Sequence, residues 1–300
     1  MTKRIAWMGG CATALVTPFA KDGSLDEKRF VELAERQIKA GVKILVPCGT
    51  TGESATMDEA ERLRVIRLAV EAAKRLGGRV IAGTGSNNTA ATIEMTRKAR
   101  ESGADAALIV APYYNRPTQD GLYAHYSEIA RSVKGFPIML YNVPSRTASN
   151  ISGETTLRLA ADHENIVATK EASGNFSQIM AIVRARPKNF KVFSGDDATA
   201  LALLALGGDG LVSVCSNEMP KETSQMVEKA LSGMISAARR FHYRLLPLME
   251  ANFIEASPAP CKFVMSQLGL LEENLRLPLV PASAAARKQL AAVMAEMGIA

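Results

Sequence analysis

The strongest constraint on the fold of this chain is an alternation repeated eight times. Short apolar runs rich in Val, Ile and Ala lie at Cys11–Val16, Lys43–Val46, Val80–Gly83, Ala106–Val110, Ile138–Tyr141, Ile166–Lys170, Lys191–Ser194 and Gly210–Val214. Longer amphipathic stretches separate them: Asp26–Ala40, Asp58–Arg75, Thr89–Ser102, Gly121–Val133, Ser152–Asp162, Phe176–Arg186, Thr199–Leu206 and Pro220–Ser232. Strands alternating with helices imply βαβ units, because a parallel neighbour is reached through a crossover connection. Eight units are the number that closes a (β/α)8 barrel. An open doubly wound sheet is the competing arrangement. Even spacing, and polar Gly-rich segments after several strands instead of one, favour the barrel. The expected class is α/β: a TIM barrel over residues 1–232 and a C-terminal helical extension over 233–300. Length by itself suggests two domains at about 150 residues each, but an α/β barrel can use about 250 in one.

Local chemistry supports the boundaries. Asp26 and Asp58 stand where N-caps are needed, and Gly41, Gly77, Gly78, Gly103 and Gly135 lie just past helix ends. The tail has no further strand pattern. It reads as two or three helices broken at Pro258–Pro260 and Pro278–Pro281, with no Pro/Ser/Gly-rich linker before it. It is expected to pack on the barrel.

Composition excludes several function classes. With 47% hydrophobic and 22% charged residues the chain is globular, not disordered or collagenous. No apolar run approaches the about 18 residues of a membrane span. The net charge is +6, but the basic residues are interleaved with acids and form no like-charge block. No nucleic-acid partner is expected, and an anionic small substrate suits the bias. Cys11, Cys48, Cys215 and Cys261 are scattered, and the histidines are His125, His163 and His242, so neither C-x-x-C nor H-E-x-x-H spacing exists and no metal is expected. The segment MTKRIAWMGG lacks a signal-type apolar stretch. A reducing, cytoplasmic protein with buried thiols is the expectation.

Barrel chemistry gathers at the C-terminal ends of strands. After the second strand, Gly49-Thr50-Thr51-Gly52-Glu53 offers backbone N–H groups and hydroxyls to an anion, or is a plain turn with a cap. After the third, Gly83-Thr84-Gly85 lacks the third glycine of a dinucleotide fingerprint. Tyr113-Tyr114-Asn115-Arg116-Pro117 could be a packing ledge or could place a phenol in a site, its own or a neighbour's. Tyr141 ends the fifth strand, where a phenol can relay protons. Arg146 follows, either as a surface turn residue or as a bidentate carboxylate holder. Lys170 ends the sixth strand. Burial disfavours the charged form of an amine, and a neutral amine attacks carbonyls to form Schiff bases. The bland readings are snorkelling to solvent and pairing with Glu171. Asp196-Asp197 after the seventh strand read as a helix cap before an acid/base or metal pair.

Together Gly49-Thr50-Thr51-Gly52-Glu53, Tyr141-Asn142-Val143-Pro144-Ser145-Arg146-Thr147 and Lys170-Glu171-Ala172, with Tyr113-Tyr114-Asn115-Arg116-Pro117, resemble the dihydrodipicolinate synthase branch of the pyruvate-dependent aldolase/lyase superfamily. The resemblance runs from Ala14 to about Val280. It implies condensation of pyruvate with aspartate semialdehyde on the way to lysine, with no cofactor beyond a pyruvate imine on Lys170. Tyr141, Thr50 and Tyr114 would relay protons, Tyr114 reaching in from a neighbouring subunit. Thr51 would hold the pyruvate carboxylate and Arg146 the semialdehyde carboxylate. Gly195 and Val212 would line the second-substrate space. The assembly implied is a homotetramer, a dimer of dimers.

Two departures stand out. Ser54, Ala55, Asn87 and Tyr113 match the lysine pocket of feedback-inhibited relatives. Glu59 and Arg62, however, stand where sensitive relatives often carry histidines, and Ala91 where they carry a glutamate. Inhibition by lysine is expected to be weak or absent. Ser257 replaces a common asparagine, which reads as structural. The rival functions are a sister lyase or dehydratase acting on a longer polyol and a catalytically silent barrel. Arg146 and Tyr114 argue against the first; Lys170, Tyr141 and Thr50 together argue against the second.

Overall fold

The computed structural model describes residues 5–299. Eight parallel strands close in chain order: β1 Gly10–Ala14, β2 Ile44–Val46, β3 Arg79–Gly83, β4 Ala106–Val110, β5 Ile138–Asn142, β6 Ile166–Glu171, β7 Lys191–Ser194 and β8 Gly210–Ser213, with β8 back against β1. The open-sheet alternative is thereby excluded. The helices around them are α1 Glu27–Lys39, α2 Glu59–Leu76, α3 Thr89–Glu101, α4 Gln119–Ser132, α5 Pro144–Thr147, α6 Gly153–Asp162, α7 Phe176–Ala185, α8 Ala200–Ala205 and α9 Pro220–Leu231. Three more follow: α10 Ile235–Ala251, α11 Ala259–Gln267 and α12 Ala284–Met297.

The caps explain most boundaries. Asp26 accepts the Arg29 N–H. Asp58 and Glu61 form a reciprocal capping box at the start of α2, worth about 1 kcal/mol. Gly41, Gly77, Gly103 and Gly135 all have positive φ. Helix α4 begins before Gly121 because Thr118 caps it, accepting the Gly121 N–H. The short α5 in the Arg146 loop has no counterpart among the helices expected from the sequence; Pro144 at its first position presets its φ.

Two apolar layers divide the strand side chains. One set of alternate positions, including Ala12, Ile44, Ile81, Leu108, Met139, Ala168, Phe193 and Val212, fills the barrel interior, with Met8 and Ile5 packed against it. The other set, such as Leu45, Val80, Ile109 and Leu140, packs under α1–α8 with Ile66, Ala69 and Ile129. The extension packs on the outside at the β1/β8 seam: Leu245, Leu248, Phe263, Val264 and Leu290 share one cluster with Cys11, Leu211 and Met226 of α9. All four cysteines are buried and free. Among the described residues no helix is long and apolar enough to cross a membrane.

Candidate active site at the barrel mouth

Side chains two apart on a strand share a face, so the interior rows of β5 and β6 end in Tyr141 and Lys170. These two residues are also register partners across the β5/β6 ladder. The Lys170 Nζ accordingly sits 4.2 Å from the Tyr141 ring centroid. Lys170 is 6% exposed. Glu171, one residue on, faces outward and is consumed there. It accepts the Asn142 amide at 3.1 Å, the Ser173 N–H at 2.9 Å and the Gln178 amide at 3.2 Å. Neither pairing with Glu171 nor snorkelling describes Lys170. No ion pair involves its amine among the described residues, so the amine is open to a ligand.

The amine opens into a cavity of about 330 Å³. Thr50 and Thr51 line it from the β2 loop, Arg146 from α5, and Gly195 and Asp196 from the β7 loop. Gly195 is required sterically: a Cβ there would lie 2.9 Å from Lys170 Cε and 2.8 Å from the Ala172 Cβ. Val212 lies deeper in the barrel interior, and Val214, just past the end of β8, is the residue that reaches the cavity wall. Thr50 has an exposed side chain, and among the described residues no hydrogen bond joins it to Tyr141. Tyr114, with φ +73° and 90% exposure, points out of its own chain and does not line the cavity.

The paired aspartates have separate tasks. Asp196 accepts the Thr199 N–H at 3.2 Å, just before α8. Asp197 is buried and takes the Ser213 hydroxyl at 2.5 Å and the Val214 N–H at 2.8 Å, tying the β7 and β8 exits together. Burial raises its carboxyl above the usual range. Among the described residues no cluster of three or more His, Cys, Asp or Glu could hold a metal.

A second cavity, about 510 Å³, adjoins the first through Thr50, Tyr141 and Arg146. It reaches Ser54, Ala55, Arg62 and Tyr113. Asn87 sits beside it, donating to the Tyr113 carbonyl at 3.2 Å. Glu59 is engaged by Lys98 at 2.7 Å, and Ala91 is exposed in the first turn of α3.

Sequence reasoning missed the contribution of the extension. Phe253 and Ser257 both line the first cavity, and the buried Ser257 hydroxyl has no hydrogen-bond partner among the described residues, a position the structural reading of Ser257 did not anticipate. It also missed Lys262, which is 0% exposed and lies 2.5 Å from Glu53. The available signal was a lone lysine among Pro260, Cys261, Phe263, Val264 and Met265.

Known proteins resemble this chain over nearly its whole length. The model of the Dihydrodipicolinate synthetase family matches residues 7–297. The 4-hydroxy-tetrahydrodipicolinate synthase of Koribacter versatilis is 50% identical over 293 residues, covering 97% of this chain and 96% of the relative. That of Chlorobium chlorochromatii is 45% identical over 295 residues, covering 98% of each. Among solved structures, the chloride-inhibited dihydrodipicolinate synthase of Acinetobacter baumannii complexed with pyruvate superposes with a TM-score of 0.95 at 40% identity, covering 98% of this chain and 100% of that one.

Proposed function

The chain belongs to the dihydrodipicolinate synthetase family and is a lyase, and from that premise we propose that it condenses pyruvate with L-aspartate 4-semialdehyde to 4-hydroxy-tetrahydrodipicolinate, the first committed step toward lysine and diaminopimelate. One observation carries the reading: a buried lysine with no carboxylate partner among the described residues, against a phenol, in a cavity that also holds an arginine.

The neutral Lys170 amine attacks C2 of pyruvate. The carbinolamine loses water to give an iminium, and Tyr141, on the adjacent strand, passes protons in both steps. The iminium acidifies the methyl group, whose proton leaves to give an enamine. The enamine carbon attacks the aldehyde of the second substrate. That substrate's amino group then adds to the imine carbon, closes the ring and expels Lys170. Thr51 holds the pyruvate carboxylate, and Arg146 pairs bidentately with the semialdehyde carboxylate. Gly195 borders the second-substrate space, and Val214 takes the wall position expected of Val212, which lies deeper in the barrel interior. Thr50 links Tyr141 to Tyr114 of a neighbouring subunit, and the outward-pointing Tyr114 supports that role. The working assembly is a homotetramer, a dimer of dimers, in the cytoplasm. The iminium is the electron sink, so the cycle as written uses no metal or organic cofactor.

Lysine inhibits weakly or not at all. Ala91 leaves a ligand ammonium without a carboxylate partner, and Arg62 adds a like charge to the second cavity wall. A lysine titration showing strong inhibition would overturn this point. The main test is borohydride reduction in the presence of pyruvate, read by peptide mass spectrometry. A reduced pyruvyl adduct on Lys170 is expected, followed by turnover of pyruvate with aspartate semialdehyde and none of N-acetylneuraminate. Folded protein without an adduct would remove the mechanism.

A further inference from the structure

The loop that carries Thr50 and Thr51 is held from an unexpected side. Gly52 is pressed against the β1 exit: a Cβ would lie 2.9 Å from the Leu15 carbonyl oxygen, and the Thr17 hydroxyl donates to the Gly52 carbonyl at 2.8 Å. Glu53 follows with φ +52° and ψ +36°, a left-handed conformation that non-glycine residues rarely adopt. Its N–H donates to the Thr50 carbonyl at 3.0 Å. A residue keeps such a conformation where its surroundings over-determine it.

Those surroundings belong to the C-terminal extension. The Glu53 carboxylate meets Lys262 Nζ of α11 at 2.5 Å, and both side chains are fully buried. The same Nζ donates to the Asn274 carbonyl at 2.8 Å and lies 4.5 Å from the Phe19 ring centroid. The Arg276 N–H donates to the second Glu53 oxygen at 3.3 Å. The Arg276 guanidinium grips Glu61 at 2.6 and 2.7 Å and donates to the Thr56 carbonyl at 3.1 Å. The middle of the 49–56 loop, at Glu53, and its C-terminal end, at Thr56, are therefore fastened to residues 262–276.

We infer that the Glu53–Lys262 pair is a positioning device, through which the extension sets the Thr50 and Thr51 hydroxyls against Lys170. Neither residue touches substrate. The inference rests on the roles given above to Thr50 and Thr51. Two charges buried together hold each other in place, whereas one left by itself pulls toward solvent or a new partner. A shift of about 1 Å in a substrate-holding group costs about 100-fold in rate.

The experiment compares wild type with Glu53→Gln, Lys262→Met and the double variant. Each is read by kcat/KM for pyruvate, by the rate of borohydride trapping on Lys170 and by circular dichroism at the assay temperature. Lys262→Met is expected to lower kcat/KM about 100-fold while native ellipticity is retained. The double variant, near in shape and free of both charges, is expected to recover at least about tenfold of that loss. Activity that falls only in step with the folded fraction, or a double variant no better than Lys262→Met, would overturn the inference. Should Lys262→Met fail to fold, Glu53→Gln decides. A native spectrum with a loss of at least about tenfold supports the device, and wild-type kcat/KM defeats it. Absence of the Lys170 adduct in wild type would overturn the underlying reading instead, independently of the variants.

Discussion

The protein buries two lysines in opposite ways. At the flank, Lys262 is enclosed by a carboxylate, a carbonyl and an aromatic face. Burial pulls its ammonium below the usual lysine range, and Glu53 pushes back. At the mouth, Lys170 has the Tyr141 ring and an open cavity but no ion-pair partner among the described residues. The first lysine has a carboxylate within the fold, and the second has none among the described residues. Matching the pair at the flank makes Lys262 a structural cation. Leaving the mouth unmatched suits the nucleophile role proposed for Lys170, because an amine already committed to a salt bridge would have to break it before attacking a carbonyl.

The contrast can be broken at either end. Lys170→Ala should abolish adduct formation and reduce turnover by about 10⁴-fold or more, while urea unfolding shows stability at or near that of the wild type. Lys262→Met should reverse the pattern in stability, losing about 3–5 kcal/mol in the same titration because Glu53 is left buried and unpaired. A comparable stability loss from both would erase the distinction.

A third buried base sharpens it. His125 donates to or accepts from Thr89 at 2.9 Å, its other ring nitrogen has no partner among the described residues, and burial depresses its pKa to about 4. The unfolded chain therefore binds this proton first. The stability it contributes is fully present above about pH 6.5, is lost as pH falls toward 4, and amounts to about 3 kcal/mol. Subtracting the pH–stability curve of His125→Asn from that of wild type should isolate that slope; parallel curves would refute it. The smallest effect is steric. Gly195→Ala places a methyl against Lys170 Cε, so trapping should slow about 100-fold with the fold intact. An unchanged trapping rate would show that the lysine has another rotamer to use.

The alternation of apolar runs made the barrel legible, and the rule that chemistry gathers at strand ends puts Lys170, Tyr141 and Arg146 on a short list of candidates, to which the family resemblance then gives roles. The period-2 geometry of β6 also separates Lys170 from Glu171, since successive side chains point to opposite faces. What stayed hidden depends on contacts between distant segments. The Glu53–Lys262 pair joins the β2 loop to α11, and no local pattern couples them. Ser257 and Phe253 reach the cavity only because the extension packs at the β1/β8 seam. Val212 and Val214 are two residues apart at the exit of β8, a difference in depth that a one-dimensional reading does not resolve.

The buried thiols give this architecture a way to be timed. Burial raises all four cysteines, Cys48 to about 12, so in the closed protein almost no thiolate is present to react. An alkylating reagent therefore labels each cysteine only as fast as its surroundings open. Cys48 immediately precedes the threonine loop and Cys261 immediately precedes Lys262. Their two labelling rates, set against those of Cys11 and Cys215, would report whether the mouth and its brace open together as one cooperative unit or breathe separately.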